Sequence, residues 1–572
     1  MSASRGDARP SAPPPQAYES IRARAALPKN QPAGVFEFLQ AKNGMPIAKR
    51  NGVFLDSSYN PEAAARARAD RMDIQDKHAA VLFGDGFCYL ARTLASRGLQ
   101  VFVVENDSEL MANALRLLGD DAFRGFHVLF TNDSSAHSVA DCLEPFIDPL
   151  WQINDILIVP APAAADPVLR RAETALMTLF KRRKFNLETS AWFGERWACN
   201  VLDNLCTLRL RGPMSGAGQP RGAVQIHRGD WVIAAPGPSL DTAADLLGKR
   251  REHFTLLALA PALRPLLERG ITPDLIASSD GGWANGLHLT GLNCPEIPLL
   301  FPLFCYGGIA RAWQGPLIPF SYGSAFESLF LGAEAMPIVP EAPTVALFAL
   351  RLAARFGAER IFFAGQDFAS FSSKGHARGY RFDADAGYRG TRIAPPEKYL
   401  GGTWRRGDKP LPEPPGWRSD TKMRMYAEAF TGALNALAPR AAEPPAAGPA
   451  VYTLGASPLA AALPEAHAAP PPFSGRGAEY SFALPSCALA PNHPEQIFET
   501  CLRLRQNPSS PETKTLFTEP RLETFFSFTH PVAFYHYSRG EHARAEELLL
   551  ARLPGTLGRS IHRLRILLNN RV

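Results

Sequence analysis

The sequence predicts an α/β protein in three parts: a Rossmann-like N-terminal domain, a doubly wound, mainly parallel α/β central domain and a mostly helical C-terminal region. Three observations carry that expectation. Apolar runs of strand length alternate with Ala- and Leu-rich stretches of helical length, the pattern of parallel strands joined by crossover helices. Several of the apolar runs break into Gly, Pro, Ser or Asp, as strands do where they turn into a helix. A Gly/Pro-rich span over 211–222 interrupts the alternation, which then starts again. With 572 residues, 46% of them hydrophobic and 20% charged, the chain has the length for more than one domain and the apolar content to give each a core.

Residues 1–33 are rich in Pro, Ala and Arg without periodicity and are expected to form a disordered arm. The N-terminal domain is placed at 34–210. A strand within 52–61 leads into a Pro-initiated helix over 62–72. A buried strand from 79 runs into Gly84-Asp85-Gly86, a helix follows to Leu94, and a second strand over 99–105 ends at Glu105. An acidic residue at that place meets ribose hydroxyls in nucleotide-binding crossovers; the third glycine is replaced by Tyr89, so a tight turn that binds nothing fits as well. Strands at 127–131 and 155–159 follow, then a helix over 167–184 ending in Lys181-Arg-Arg-Lys184 and a further helix over 185–208 with Trp192, Trp197 and Cys199 expected to be buried.

The central domain, 223–438, is organised around Gly229-Asp-Trp-Val-Ile-Ala-Ala-Pro-Gly-Pro-Ser-Leu-Asp241. Here an apolar strand breaks at Pro236, and Ser239 stands where a helix N-cap belongs. Such a turn aims unbonded amides and the positive end of a helix dipole beyond the strand, so Gly237, Pro238 and Ser239 are candidates to hold a phosphate. Strands over 254–259, 274–278, 297–304, 317–320 and 360–364 and helices over 261–268 and 343–356 continue the alternation. Ligands of such sheets bind at the carboxyl ends of the strands, which makes Ser279 and Asp280, and Gln366 and Asp367, further candidates. Residues 368–419 show no periodic element and are expected to fold over the site, with Arg378, Tyr380, Arg381, Tyr388 and Lys398 available to it. A helix over 420–437, an Ala/Pro-rich linker over 439–475 and a helical region over 476–572 complete the chain.

A net charge of +6 is mild over this length; it permits an anionic ligand, and without a clustered basic stripe no nucleic-acid partner is expected. No run reaches the length of a membrane span, and the first 26 residues lack the apolar core of a signal peptide, so a cytoplasmic protein is expected. The eight cysteines are scattered without a C-x-x-C pair; free thiols and no metal centre are the expectation.

Leu55-Asp-Ser-Ser-Tyr-Asn-Pro61, Leu82-Phe-Gly-Asp-Gly-Phe87 with Glu105, Ala235-Pro-Gly-Pro-Ser-Leu240, Gly270-Ile-Thr-Pro-Asp274 with Asp280, and Ile361-Phe-Phe-Ala-Gly-Gln-Asp367 leading to Gly375-His-Ala377 occur in the order found in motility accessory factor proteins. The resemblance covers roughly residues 35–437. It implies a flagellin glycosyltransferase that moves a nonulosonic acid of the pseudaminic or legionaminic type from its CMP-activated form to Ser or Thr hydroxyls. It also implies a central domain shared with archaeal 6-hydroxymethyl-7,8-dihydropterin pyrophosphokinase and similar in plan to a family of bacterial sialyltransferases. The segment Pro340-Glu-Ala-Pro-Thr344 departs from the small Gly/Ser-rich turn of that pattern.

Under that resemblance the donor carries its own leaving group, so no cofactor or metal is required; the partners are the CMP-sugar and flagellin. His376 is the expected base, because an ordinary imidazole accepts a proton near neutrality. Asp280 and Asp367 bind sugar or ribose hydroxyls, orient the histidine, or cap turns. Tyr380 and Gln366 line the donor site. A pterin pyrophosphokinase would instead need Mg²⁺ and ATP, with the acidic strand ends as ligands. A non-catalytic module binding a flagellar protein or a nucleotide is the third reading.

Overall fold

A computed structural model describes residues 36–131, 143, 152–161, 167–211, 223–332, 336–372, 374–395, 409–412, 414–437, 449–462, 471–483, 489–490, 493–508 and 510–569. The chain divides into two compact units, Met1–Trp192 with His530–Ala551, and Phe193–Thr529 with Arg552–Val572.

In the first unit four parallel strands lie in the order Phe126–Phe130, Gln100–Glu105, Ala79–Phe83, Ile156–Val159. Ala79–Phe83 is buried at every position, as expected of a strand covered on both faces. The crossover helices start on side-chain caps where the sequence supplies them: Asn60 accepts from the Ala63 amide ahead of Pro61–Asp70, and Asp107 accepts from Glu109 and Leu110 ahead of Ser108–Leu118. Asp155, fully buried before the fourth strand, is held by the Arg539 guanidinium at 2.7 Å. That partner is what makes a buried carboxylate tolerable.

The second unit carries a seven-stranded sheet, parallel throughout, in the order Leu317–Phe320, Leu299–Pro302, Leu275–Ala277, Thr255–Leu259, Asp230–Ala234, Arg360–Ala364, Ala450–Leu454. Its strands are near-continuous apolar runs because helices such as Leu240–Lys249, Ala260–Leu267 and Val345–Arg355 cover both faces. Trp231 is fully buried and stacks on Phe356. At the opposite end of the first strand, buried Asp230 takes a bidentate pair from Arg360 of the adjacent strand at 2.7 and 2.6 Å, which locks their register. Chain order runs outward from Asp230–Ala234 through four strands, then returns to its other side. The reversal falls between Asp230–Ala234 and Arg360–Ala364.

Several expectations are corrected. The presumed linker over 439–475 contributes Ala450–Leu454, which pairs in parallel with Arg360–Ala364 and so belongs to the central sheet; its five residues are masked in the sequence by Ala/Pro-rich flanks. The stretch 368–419 contains strands Ser370–Phe371, Lys409–Pro410 and Trp417–Ser419 and the helix Arg381–Arg389. The two helices expected over 167–208 are one, Pro167–Arg211, and Trp192 is 83% exposed. The expected arm over 1–33, Lys398 and most of the span over 211–222 lie outside the described residues. From His493 onward the structure is helical, through His493–Gln506, Pro520–Thr529, Pro531–Ser538 and His542–Asn569, while Glu479–Ala483 pairs antiparallel with Ala223–His227. No described helix is long and apolar enough to cross a membrane.

Candidate functional site

The order reversal puts the ends of two neighbouring strands side by side, where loops leaving in opposite directions open a crevice. After Ala235 the chain turns at Pro236, and the Gly237 amide donates to the Gly365 carbonyl at 2.8 Å. Gly365 has φ +76°, a left-handed backbone that glycine alone adopts without strain. Side chains at either glycine would collide across this seam: a Cβ at 365 would run into the Ala235 carbonyl, and one at 237 into the Gly365 carbonyl and the Asp367 carboxylate.

That carboxylate fills the turn. Asp367 is 4% exposed and Ser239 3%. The Ser239 amide donates to Asp367 Oδ2 at 2.9 Å and its hydroxyl to Oδ1 at 2.6 Å, while the Gly365 amide donates to Ser239 Oγ at 3.1 Å. The Leu240 and Asp241 amides donate to the Gly237 and Pro238 carbonyls, and Pro238 has no N–H. Every amide from 237 to 241 is therefore engaged within the fold. The sequence expectation that Gly237, Pro238 and Ser239 present unbonded donors to a phosphate is corrected: an internal carboxylate, reaching across 128 residues, takes the donors of Ser239, and the Gly365 carbonyl takes the amide of Gly237. Ser239 stands at the N-cap but makes no capping hydrogen bond from its side chain, because its hydroxyl is spent on Asp367. Burial raises the pKa of Asp367, against the lowering effect of the bonds from Ser239.

His376 is fastened beside this turn by its neighbours. The Ala377 amide donates to the Pro236 carbonyl at 2.7 Å, and the Arg378 amide to Asp241 Oδ1 at 3.0 Å. Arg269 joins both ends, donating to Asp241 Oδ1 at 2.6 Å and to the Arg378 carbonyl at 2.9 Å. The half-buried His376 ring stacks on Tyr380 with centroids 3.7 Å apart, and its Nδ1 lies 4.0 Å from Asp383 Oδ1. Burial, with His288 as the second cause, brings its pKa down to about 4, so the imidazole is neutral at neutral pH and carries a lone pair. Burial takes the Tyr380 phenol up to about 12, with Asp383 adding to the effect.

Asp280 plays another part. It is exposed, its Oδ1 accepts from the Gly282 amide at 2.7 Å, and its carbonyl accepts from Asn285 Nδ2 and the Tyr306 amide. It shapes the turn after Leu275–Ala277, two strands from Asp230–Ala234, or about 10 Å at the usual spacing. The adjoining Ser279 is half-buried. Gln366 is 8% exposed with its Oε1 unbonded among the described residues, and Ser457 donates to its carbonyl. The structure thus joins Gly237, Pro238, Ser239, Gln366 and Asp367 at one seam, adds His376 and Tyr380 beside it, and leaves Ser279 and Asp280 further along the edge.

Sequence reasoning missed His288, Asp383, Asp241 and Arg269. His288 follows Asp280 by eight positions on the same edge, a signal that was there to be read; the others act through contacts between segments remote in sequence. Among the described residues no cluster of three or more His, Cys, Asp or Glu is arranged to hold a metal ion.

Residues 221–372 match the family model described as 6-hydroxymethylpterin diphosphokinase MptE-like. An uncharacterised protein of Treponema pallidum (strain Nichols) is 27% identical over 194 residues, 34% of this chain and 40% of its own length, so the chain spans well under half of that relative. The solved structure of a MAf glycosyltransferase from Magnetospirillum magneticum AMB-1 is similar over 97% of this chain and 94% of that one, with a TM-score of 0.52 at 13% identity. Residues 221–372 are accordingly similar to the MptE-like family, and the fold of the chain is similar to that of the MAf glycosyltransferase.

Proposed function

We propose that the protein is a glycosyltransferase of the motility accessory factor type, moving a nonulosonic acid from its CMP-activated form to Ser or Thr hydroxyls of flagellin. The observation that carries this reading is the fastening of His376 and Tyr380 beside the order-reversal crevice by the bonds from Ala377 and Arg378. The crevice takes the nucleotide-sugar. Because the amides of the Gly237 turn are occupied, the phosphate is held by the cationic side chains of the 378–381 segment, Arg378 and Arg381. Asp367 and Ser239 hold the turn rigid, with Gln366 against the donor.

His376 accepts the proton of the acceptor hydroxyl. Its low basicity reflects burial, and an arriving anionic donor favours the imidazolium and so raises it. No metal enters this route, since departing CMP carries its own phosphate.

A second reading is pyrophosphoryl transfer from ATP to a pterin, favoured by the description of the model matching 221–372. It needs Mg²⁺ on acidic strand ends, and Asp367 already has both oxygens bonded to Ser239. Titration with CMP, ATP and GTP separates the two: tight CMP binding without a Mg²⁺ requirement supports the first, Mg²⁺-dependent ATP binding the second. His376→Ala is expected to keep CMP binding and lose transfer. Intact-mass comparison of flagellin from cells with and without the protein tests the acceptor; identical masses would remove it.

A further inference from the structure

A histidine that takes a proton from a hydroxyl must hold its own N–H on the opposite nitrogen, and the group facing that nitrogen sets the tautomer. Neither carboxylate expected from the sequence to orient His376 is available to it. Asp367 has both oxygens bonded to Ser239, and Asp280 accepts from the Gly282 amide in its own turn. Asp383 is placed differently. Its Oδ1 lies 4.0 Å from His376 Nδ1, with 36% of its side chain exposed against 30% for the histidine, and its carboxyl makes no hydrogen bond among the described residues. Helix capping does not account for it. Asp383 is the third residue of Arg381–Arg389, where a capping carboxylate would reach back to the Tyr380 amide, but that amide donates to the Ala377 carbonyl at 3.2 Å. The Asp383 amide donates to the Tyr380 carbonyl at 3.1 Å and His376 stacks on the Tyr380 ring at 3.7 Å, so one tyrosine fixes both partners.

We infer that Asp383 is the positioning residue of His376: its carboxylate keeps the proton of the neutral imidazole on Nδ1, leaves Nε2 bare for the acceptor hydroxyl, and closes on the imidazolium as that hydroxyl's proton arrives. This rests on the transferase reading above, which needs His376 and does not name its partner. In the step, the acceptor oxygen bonds to the anomeric carbon while the carbon–oxygen bond to CMP breaks, its electron pair leaving on the CMP phosphate. The hydroxyl proton passes to Nε2, and Nδ1–H stays with Asp383. Burial disfavours each charge singly, taking the imidazole down to about 4 and the Asp383 carboxyl upward. Side by side each relieves the other, and an opposite charge at this range raises the basicity of an imidazole about tenfold or more. The other titratable groups facing the ring supply no negative charge near neutrality. Burial takes the Tyr380 phenol to about 12 and His288 down to about 4, which leaves both neutral.

The test is the ¹⁵N spectrum of the histidine-labelled protein at pH 8, with the His376 signals assigned by their loss in His376→Gln. Wild type is expected to show Nδ1 protonated and Nε2 bare. Asp383→Ala is expected to move the proton to Nε2, the nitrogen that a histidine without a partner favours. Wild type with the proton on Nε2, or Asp383→Ala with it still on Nδ1, overturns the assignment. In cells lacking the protein and complemented with either form, the rate at which new flagellin gains the added mass is expected to fall about tenfold or more for Asp383→Ala, and an equal rate overturns it. Flagellin that gains no mass even with wild type removes the transferase reading, and the role of Asp383 falls with it; modified flagellin alongside the wrong tautomer removes the role of Asp383 alone. Should Asp383→Ala not fold, the wild-type tautomer decides by itself.

Discussion

Each unit carries a parallel sheet with a glycine turn after a central strand, and each turn is closed by a carboxylate from elsewhere in its own unit. In the second unit Asp367 takes the amide and hydroxyl of Ser239. In the first, Asp85 Oδ2 accepts from the Ala91 amide in the first turn of Tyr89–Ser96, and Asp56 Oδ1 accepts from the Phe87 amide just before it. Both helix N-termini are places where an anion is favoured. The protein places a carboxyl group of its own at each. The difference lies in company. Asp367 meets the hydroxyls of Ser239 and Ser457, with no second carboxylate among the causes of its shift, whereas Asp56, Asp85 and Glu105 share one neighbourhood, and burial, reinforced for Asp85 by the other two, raises them to about 7, 8 and 7. A strand–Gly–helix turn is therefore not evidence of a phosphate site until its donors are shown to be unbonded.

The comparison breaks most sharply at Asp367. Asp367→Ala leaves the buried amide and hydroxyl of Ser239 without acceptors, and a loss of about 3 kcal/mol is expected in denaturant unfolding of the second unit. If Asp367→Ala were as stable as wild type, the carboxylate would not be what holds the turn. Gly237→Ala comes next, at about 2 kcal/mol, because its Cβ meets a backbone carbonyl that cannot swing away.

In the first unit the sign of the pH effect is the sharper probe. The folded pKa values are raised, so protonation favours the fold: the contribution is complete below about pH 4 and is lost as pH rises through about 7 to 8. Hydrogen exchange of the amides around 84–91 is thus expected to quicken between about pH 4 and 8 through this loss and to level off above it, once corrected for intrinsic rates. Asp85→Asn keeps an acceptor for Ala91 and should flatten that dependence, with a gain of about 1–2 kcal/mol at pH 8. An unchanged pH profile in Asp85→Asn would count against the shared neighbourhood. The smallest effect is expected for Gly86→Ala, about 1 kcal/mol: φ is +49°, and the atom its Cβ meets at 2.6 Å is Asp56 Oδ1, a side-chain oxygen that can shift only by giving up its bond from the Phe87 amide.

Much of the fold was legible because strand burial writes itself as apolar runs. Ala79–Phe83, Asp230–Ala234 and Arg360–Ala364 each fall within a residue or so of their expected bounds. Ala450–Leu454 was not legible, since five residues between Ala/Pro-rich flanks, of which only Leu454 is fully buried, look like linker until Arg360–Ala364 pairs with them. Trp192 misled for the converse reason: a tryptophan in a helix is usually buried, and helix 167–211 turns this one outward.

At the site, the sequence by itself determined which residues stand at the strand ends, Gly237 and Ser239 after one and Gln366 and Asp367 after another, because local apolar runs and turn residues decide where a strand stops. Only the tertiary structure decided that Asp367 consumes the donors of Ser239, that His288 and His376 flank one tyrosine ring, and that Asp280 serves its own turn. Those pairings join segments up to 128 residues apart. Hydrogen bonds and ring contacts act over a few ångströms of space, and separation along the chain carries no information about such distances until the sheet order is known.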